Sequence, residues 1–169
     1  MGDSLEAYEK LPRELGTLLF THEISISLAE SCTGGLISHR ITQIPGASRF
    51  FEGAVVSYSN DSKISILGVQ EDTITQNGAV SEWTARQMAE GVRKLFQTDL
   101  GCSVTGIAGP DGGSPEKPIG TVYIAISSNK GTQCWHFHFT GSREDLKLKT
   151  SSKALELMIS HVKKLKQIG

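Results

Sequence analysis

The chain has 169 residues, with 17 Lys+Arg against 18 Asp+Glu for a formal net charge of −1, and 38% of it is hydrophobic. Such values predict one folded domain over residues 1–169, and they exclude a disordered chain and a strongly basic nucleic-acid-binding surface. The 18 glycines exceed the average share of about 7%, which points to tight turns or backbone that approaches a ligand closely.

Leu5, Tyr8, Leu11, Leu15, Leu18 and Leu19 recur at helical spacing. They predict a first helix capped at Ser4 and bent or split at Pro12. Ile24 to Leu28 alternates apolar and polar and reads as a strand, followed by a small-residue turn over Ala29 to Gly35. Leu36 to Ile44 reads as a helix stopped by Pro45-Gly46. Gly53 to Ser59 is a second predicted strand. Asn60-Asp61-Ser62 then offers caps for a short helix ending near Gly68.

Ser81 is expected to cap a helix with Ala85, Met88, Ala89, Val92, Leu95 and Phe96 on its apolar face. A third strand spans Leu100 to Thr105, and Gly106 to Gly120 is a loop. Ile119 to Ser127 and Thr132 to Thr140 read as strands joined in a hairpin by Ser128-Asn129-Lys130-Gly131. Ser142 opens the last helix, striped by Leu146, Ala154, Leu155, Met158, Val162 and Leu165. This order predicts a mixed five-stranded sheet with helices on both faces.

No apolar run reaches the ~18 residues of a membrane helix, so no membrane partner is expected. The acidic start lacks the layout of a signal peptide, and Cys32, Cys102 and Cys134 are too few and too scattered for a disulfide framework or CxxC zinc site. The expected home is the reducing cytoplasm.

Ligands of open α/β sheets collect at the carboxyl ends of parallel strands. Three loops rich in small and hydroxyl residues fall there: Ala29 to Gly35, Ser57 to Lys63, and Thr105 to Gly113. Their wording carries a resemblance. "AESCTGG", "YSN" followed by a lysine and "LGV", "GAVS", and "TGIAGPDGG" leading to "KPIGTVY" resemble the CinA C-terminal domain family, from about Ile24 to the last helix. The resemblance implies a three-layer α/β/α sandwich whose mixed five-stranded sheet has one antiparallel strand. It also implies an amidohydrolase that converts nicotinamide mononucleotide to the nicotinate mononucleotide and ammonia in pyridine nucleotide recycling. Many family members carry a further N-terminal domain, so the chain is expected to be either a stand-alone enzyme or one domain of a larger protein. A homodimer is expected on the same ground.

Carried over by motif, the resemblance implies Ser31 as nucleophile, Lys63 as general base, Tyr58 as a partner in proton transfer or orientation, and Thr105 as support near the oxyanion. It places Arg143 at the substrate phosphate, with Thr33, Gly34, Ser48, Gly106 and Gly109 as further substrate contacts. Ala47 departs from the serine expected at that place in "PGAS". No metal or redox cofactor is expected.

The chemistry stands on the residues as well. A serine hydroxyl needs a base, and a lysine serves as one when burial or a nearby cation lowers its pKa from ~10.4. Ile64 and Ile66 are the expected desolvating neighbours of Lys63.

Each residue also has a plainer reading by position. Ser31 reads as a cap or turn, Lys63 as a solvated surface lysine, Tyr58 as packing, Thr105 as a strand hydroxyl and Arg143 as half of a surface ion pair. Cys32 is the rival nucleophile. His136 and His138 share one face of a strand and read as exposed histidines rather than zinc ligands. The competing function is a nucleotide-binding module without turnover, belonging to a competence- or damage-associated protein.

Overall fold

The computed structural model describes residues 2–167, with side chains from Tyr8 onward. Helix α1 (Gly2–Thr21) leads into strand β1 (Ile26–Glu30), helix α2 (Leu36–Thr42), a 3₁₀ turn (Ala47–Arg49) and strand β2 (Phe51–Val56). Helices α3 (Asn60–Leu67), α4 (Glu71–Asn77) and α5 (Glu82–Phe96) precede strand β3 (Leu100–Gly106). The hairpin β4 (Thr121–Ser128) and β5 (Gly131–His138) and the long helix α6 (Arg143–Gln167) complete the chain.

The sheet order is β2-β1-β3-β4-β5. β1 pairs in parallel with β2 and β3, while β4 is antiparallel to both β3 and β5, so β4 alone runs against the other four. This is the mixed sheet with one reversed strand that the sequence implied. Alternation along β1 sends Ile26 and Leu28 into a core shared with Leu15 and Leu19 of α1, Ile37 and Ile41 of α2, and Leu155 and Met158 of α6. Ala29 joins Leu67, Met88 and Val92 on the opposite face, and Ala125 packs there with Ala85 and Ala89. Helices α1, α2 and α6 therefore cover one face and α3 and α5 the other.

That second face is built from small residues, which let the α5 backbone lie close against the sheet. Ser103 Oγ donates to the Ala85 carbonyl at 2.6 Å and Ser27 Oγ to the Val92 carbonyl at 3.2 Å. The same closeness holds between α3 and α5, because a Cβ at Gly91 would collide with the Leu67 carbonyl oxygen. Gly91→Ala is therefore expected to destabilise the fold by about 2–4 kcal/mol, since backbone rather than a flexible side chain must move. Chemical denaturation measures it, and a shift below 0.5 kcal/mol would show that the two helices separate freely.

Several expectations are corrected. β1 begins two residues later than Ile24, because Ile24 still closes the turn out of α1, its N–H bonding the Leu19 carbonyl at 2.9 Å. α1 starts at Gly2, ahead of the expected cap at Ser4, and the side chains of Ser4 and Leu5 lie outside the described residues. Pro12 does not split α1. Its ring leaves the Tyr8 carbonyl without an N–H donor from within the helix, and the buried Arg40 supplies one, Nη2 lying 2.8 Å away. Arg40 also bonds Ser151 and Ser152 at 2.8 Å each and stacks on the Tyr8 ring at 4.4 Å, tying α1, α2 and α6 together. Leu95 lies exposed rather than on the apolar face of α5. Helix α4 carries no buried residue, which is why no apolar stripe announced it.

Candidate active site

Strands β2, β1 and β3 are parallel neighbours, so their carboxyl ends open side by side. A cavity of about 270 Å³ lies there, lined among others by Ser31, Tyr58, Lys63, Thr105, Asp111 and Arg143. Larger hollows occur elsewhere. One of about 380 Å³, lined by His22, Arg93, Asp99 and Lys130, sits at the other end of the sheet, and no lysine amine there bonds a serine hydroxyl among the described residues.

Ser31 follows the last residue of β1, and its N–H bonds the Val104 carbonyl of β3 at 3.1 Å. What fixes the turn beyond it is Glu30, which no motif singled out. This fully buried carboxylate accepts from Thr33 Oγ1 (2.6 Å), Gly35 N (3.0 Å), Ile37 N (3.1 Å), Ser38 N (2.8 Å) and Ser38 Oγ (2.6 Å). It satisfies amides at the start of α2, a helix whose N-cap Gly35 has no side chain to do so. The sequence held a clue: an acid closing an apolar strand is costly to bury, so it implies several donors.

Lys63 lies in the first turn of α3. Ser59 caps that helix, accepting from Ser62 N, so the cap falls one residue before the expected Asn60. Lys63 is only 2% exposed, with Nζ 3.0 Å from Ser31 Oγ and 2.7 Å from the Ser57 carbonyl oxygen. Burial lowers its pKa below the ordinary lysine value. Ile66 is exposed and takes no part in that desolvation. Nζ donates to both the Ser57 carbonyl and the Ser31 hydroxyl, and once deprotonated it can keep the Ser57 bond and offer a lone pair to Ser31.

Cys32 is buried beside this pair. Its thiol is pushed up to about 12, first by burial and further by the Glu30 charge, so it stays a thiol at neutral pH. The geometry therefore brings the serine, not the cysteine, to the lysine.

Arg143 opens α6, whose start is set by a reciprocal pair: Ser142 N and Oγ donate to Asp145 Oδ2 at 2.8 and 2.7 Å, and Asp145 N donates to Ser142 Oγ at 3.2 Å. Nη1 of Arg143 donates to the Gly109 carbonyl at 2.6 Å and Nη2 to the Tyr58 hydroxyl at 2.7 Å. The guanidinium thus spans the cavity from the β2 side to the glycine-rich loop. Tyr58 is 61% exposed, at the mouth rather than beside the Ser31–Lys63 pair.

Thr105, Gly106 and Gly109 line the cavity. The Thr105 hydroxyl donates to the Ala79 carbonyl at 2.8 Å, tying the end of β3 to the Ala79–Val80 wall of the cavity. Three expected substrate contacts lie elsewhere. Thr33 is buried against Glu30, and Gly34 faces Lys147 of α6 outside the cavity. Ser48 sits in the 3₁₀ turn before β2, at the far end of the sheet. His136 stacks on Tyr123 at 4.6 Å, and His138 Nε2 lies 3.0 Å from the Ile119 carbonyl. Among the described residues no group of three or more metal-ligating side chains comes together, and no helix is long and apolar enough to cross a membrane.

Residues 8–162 match the family described as the CinA C-terminal domain. A CinA-like protein of Endomicrobium trichonymphae is 50% identical over 143 residues, covering 85% of this chain and 33% of that protein. A putative competence-damage inducible protein of Acetivibrio thermocellus is 47% identical over 158 residues, 94% of this chain and 38% of that protein. The chain thus spans little more than a third of the length of these curated relatives. Among solved structures, the competence/damage inducible protein CihA of Agrobacterium tumefaciens superposes with a TM-score of 0.86 at 40% identity, covering 90% of this chain and 94% of that one. A CinA superfamily protein of Klebsiella pneumoniae gives a TM-score of 0.89 at 26% identity, covering 92% and 97%.

Proposed function

The chain belongs to the CinA C-terminal domain family, and from that membership and the Ser31–Lys63 contact we propose that it is an amidohydrolase acting on nicotinamide mononucleotide. The observation that carries the reading is the buried 3.0 Å approach of a lysine amine of lowered pKa to a serine hydroxyl at the floor of a cavity. Such a pair suits nucleophilic attack on an unactivated amide.

Ser31 Oγ bonds to the carboxamide carbon while Lys63 takes its proton. The carbonyl oxygen gains charge, and the Cys32 amide, which follows the nucleophile at the cavity, is the donor at hand. Collapse breaks the C–N bond, and Lys63 returns its proton to nitrogen, which leaves as ammonia. Water then adds to the acyl-enzyme, giving its proton to Lys63. The carboxylate product departs as Ser31 recovers its hydrogen. Each step uses groups already within reach and no metal.

Arg143 supports a phosphate-bearing substrate. It lines the Ser31 cavity and also a neighbouring hollow of about 590 Å³ that holds Lys147. Its fork suits a phosphate, and that contact is made equally in ground and transition states. Arg143→Ala is thus expected to raise KM for nicotinamide mononucleotide tenfold or more, change kcat less, and narrow the preference over the riboside. Unchanged KM and preference would place the phosphate elsewhere.

The test of the function is ammonia release from nicotinamide mononucleotide, its riboside and free nicotinamide. Rapid release from the mononucleotide is the expected result. Tight binding with no ammonia from any of the three would make the domain a nucleotide-binding module instead.

A further inference from the structure

We propose that Asp111 is a specificity residue that recognises the positive charge of a pyridinium ring; the inference rests on the function proposed above, in which the hydrolysed carboxamide is carried by such a ring. In nicotinamide mononucleotide the ring nitrogen is bonded to ribose and holds a permanent positive charge. Any site that accepts it must balance that charge.

The charged side chains lining the Ser31 cavity are Lys63, Asp111 and Arg143. Two are basic. Arg143 repels a cationic ring, and so does Lys63 once it has taken the serine proton. Asp111 is the one carboxylate among the described lining residues. It is not spent on its neighbours, for no described ion pair or side-chain hydrogen bond engages it. Arg143, on the same cavity, bonds the Gly109 carbonyl and the Tyr58 hydroxyl instead. Gly109 and Gly112, both at positive φ (71° and 92°), turn the chain on either side of Asp111. Tyr58 adds an exposed aromatic ring to the same cavity, and a π face also favours a cationic partner over a neutral one. A carboxylate and an aromatic ring set against two basic groups form a receptor for a substrate that carries a cation close to its amide and an anion further off.

The experiment compares nicotinamide mononucleotide with its dihydropyridine form, which keeps the carboxamide, ribose and phosphate but has no ring charge. Calorimetry on the full chain carrying Ser31→Ala gives both Kd values without turnover. Adding Asp111→Asn is expected to weaken the pyridinium form five- to tenfold and the dihydropyridine form less than twofold, while Asp111→Glu retains part of the difference. Equal weakening of both forms would reduce Asp111 to a structural part of the loop and overturn the inference, as would no change in either. Wild-type protein that releases ammonia alongside either of those results leaves the function standing and removes this inference alone. No ammonia from wild type and no binding by Ser31→Ala removes both.

Discussion

Ser31→Ala is expected to lower ammonia release from nicotinamide mononucleotide by about 10⁶-fold, the scale seen when an acyl-transfer nucleophile is removed. The change takes away one hydroxyl from a residue whose backbone is held independently, through its N–H on the Val104 carbonyl and through the Glu30 bonds that follow. Folding and Kd for the mononucleotide should therefore stay close to wild type, so that the loss falls on kcat. Cys32→Ala is the companion variant, and because the thiol sits unionised it should keep most of the activity. Active Ser31→Ala with dead Cys32→Ala would reverse the assignment of the nucleophile.

Lys63→Met is expected to cost at least 10³-fold in kcat/KM, because nothing else described lies within bonding distance of Ser31 Oγ to take its proton. It is not expected to lower Tm. A lysine held at 2% exposure with its pKa depressed by burial opposes folding, and methionine fills similar volume without an amine. The Ser57 carbonyl loses its donor, which costs about 1–3 kcal/mol and offsets part of the gain.

The pH dependence follows from the same shift. Wild-type kcat/KM rises with pH as Lys63 is deprotonated, along a limb lying below the ordinary lysine value. Between the folded pKa and about 10.4 the unfolded chain holds more protons than the folded one, so stability also rises with pH through that window. Lys63→Met should flatten this contribution. A Tm several degrees lower, or activity within tenfold of wild type, would contradict the role.

The alternation at β1 was readable because Ile26 and Leu28 enter one core while Ser27 and Ala29 meet the close α5 backbone, and the stripes of α5 and α6 because each helix buries one face. Ser31, Lys63, Tyr58 and Arg143 stand in loops and first turns whose wording is distinctive, and the fold gathers them at one cavity. Thr33 and Gly34 belong to the same wording yet serve the turn, since one motif can encode both a cavity wall and the scaffold behind it. Glu30 escaped notice because three of its five donors are backbone amides, and amides carry no sequence letter. Arg40 and its freed carbonyl at Tyr8 joined residues far apart in the chain, which no local pattern records.

Glu30 has one more consequence. In many α/β proteins the amides at the first helix after the central strand receive the anion of a ligand. Here the chain supplies its own carboxylate to that place, permanently and without solvent. The seat is taken before any substrate arrives. On the function proposed above, the phosphate would then be received by Arg143, where α6 begins, and not by the amides of α2.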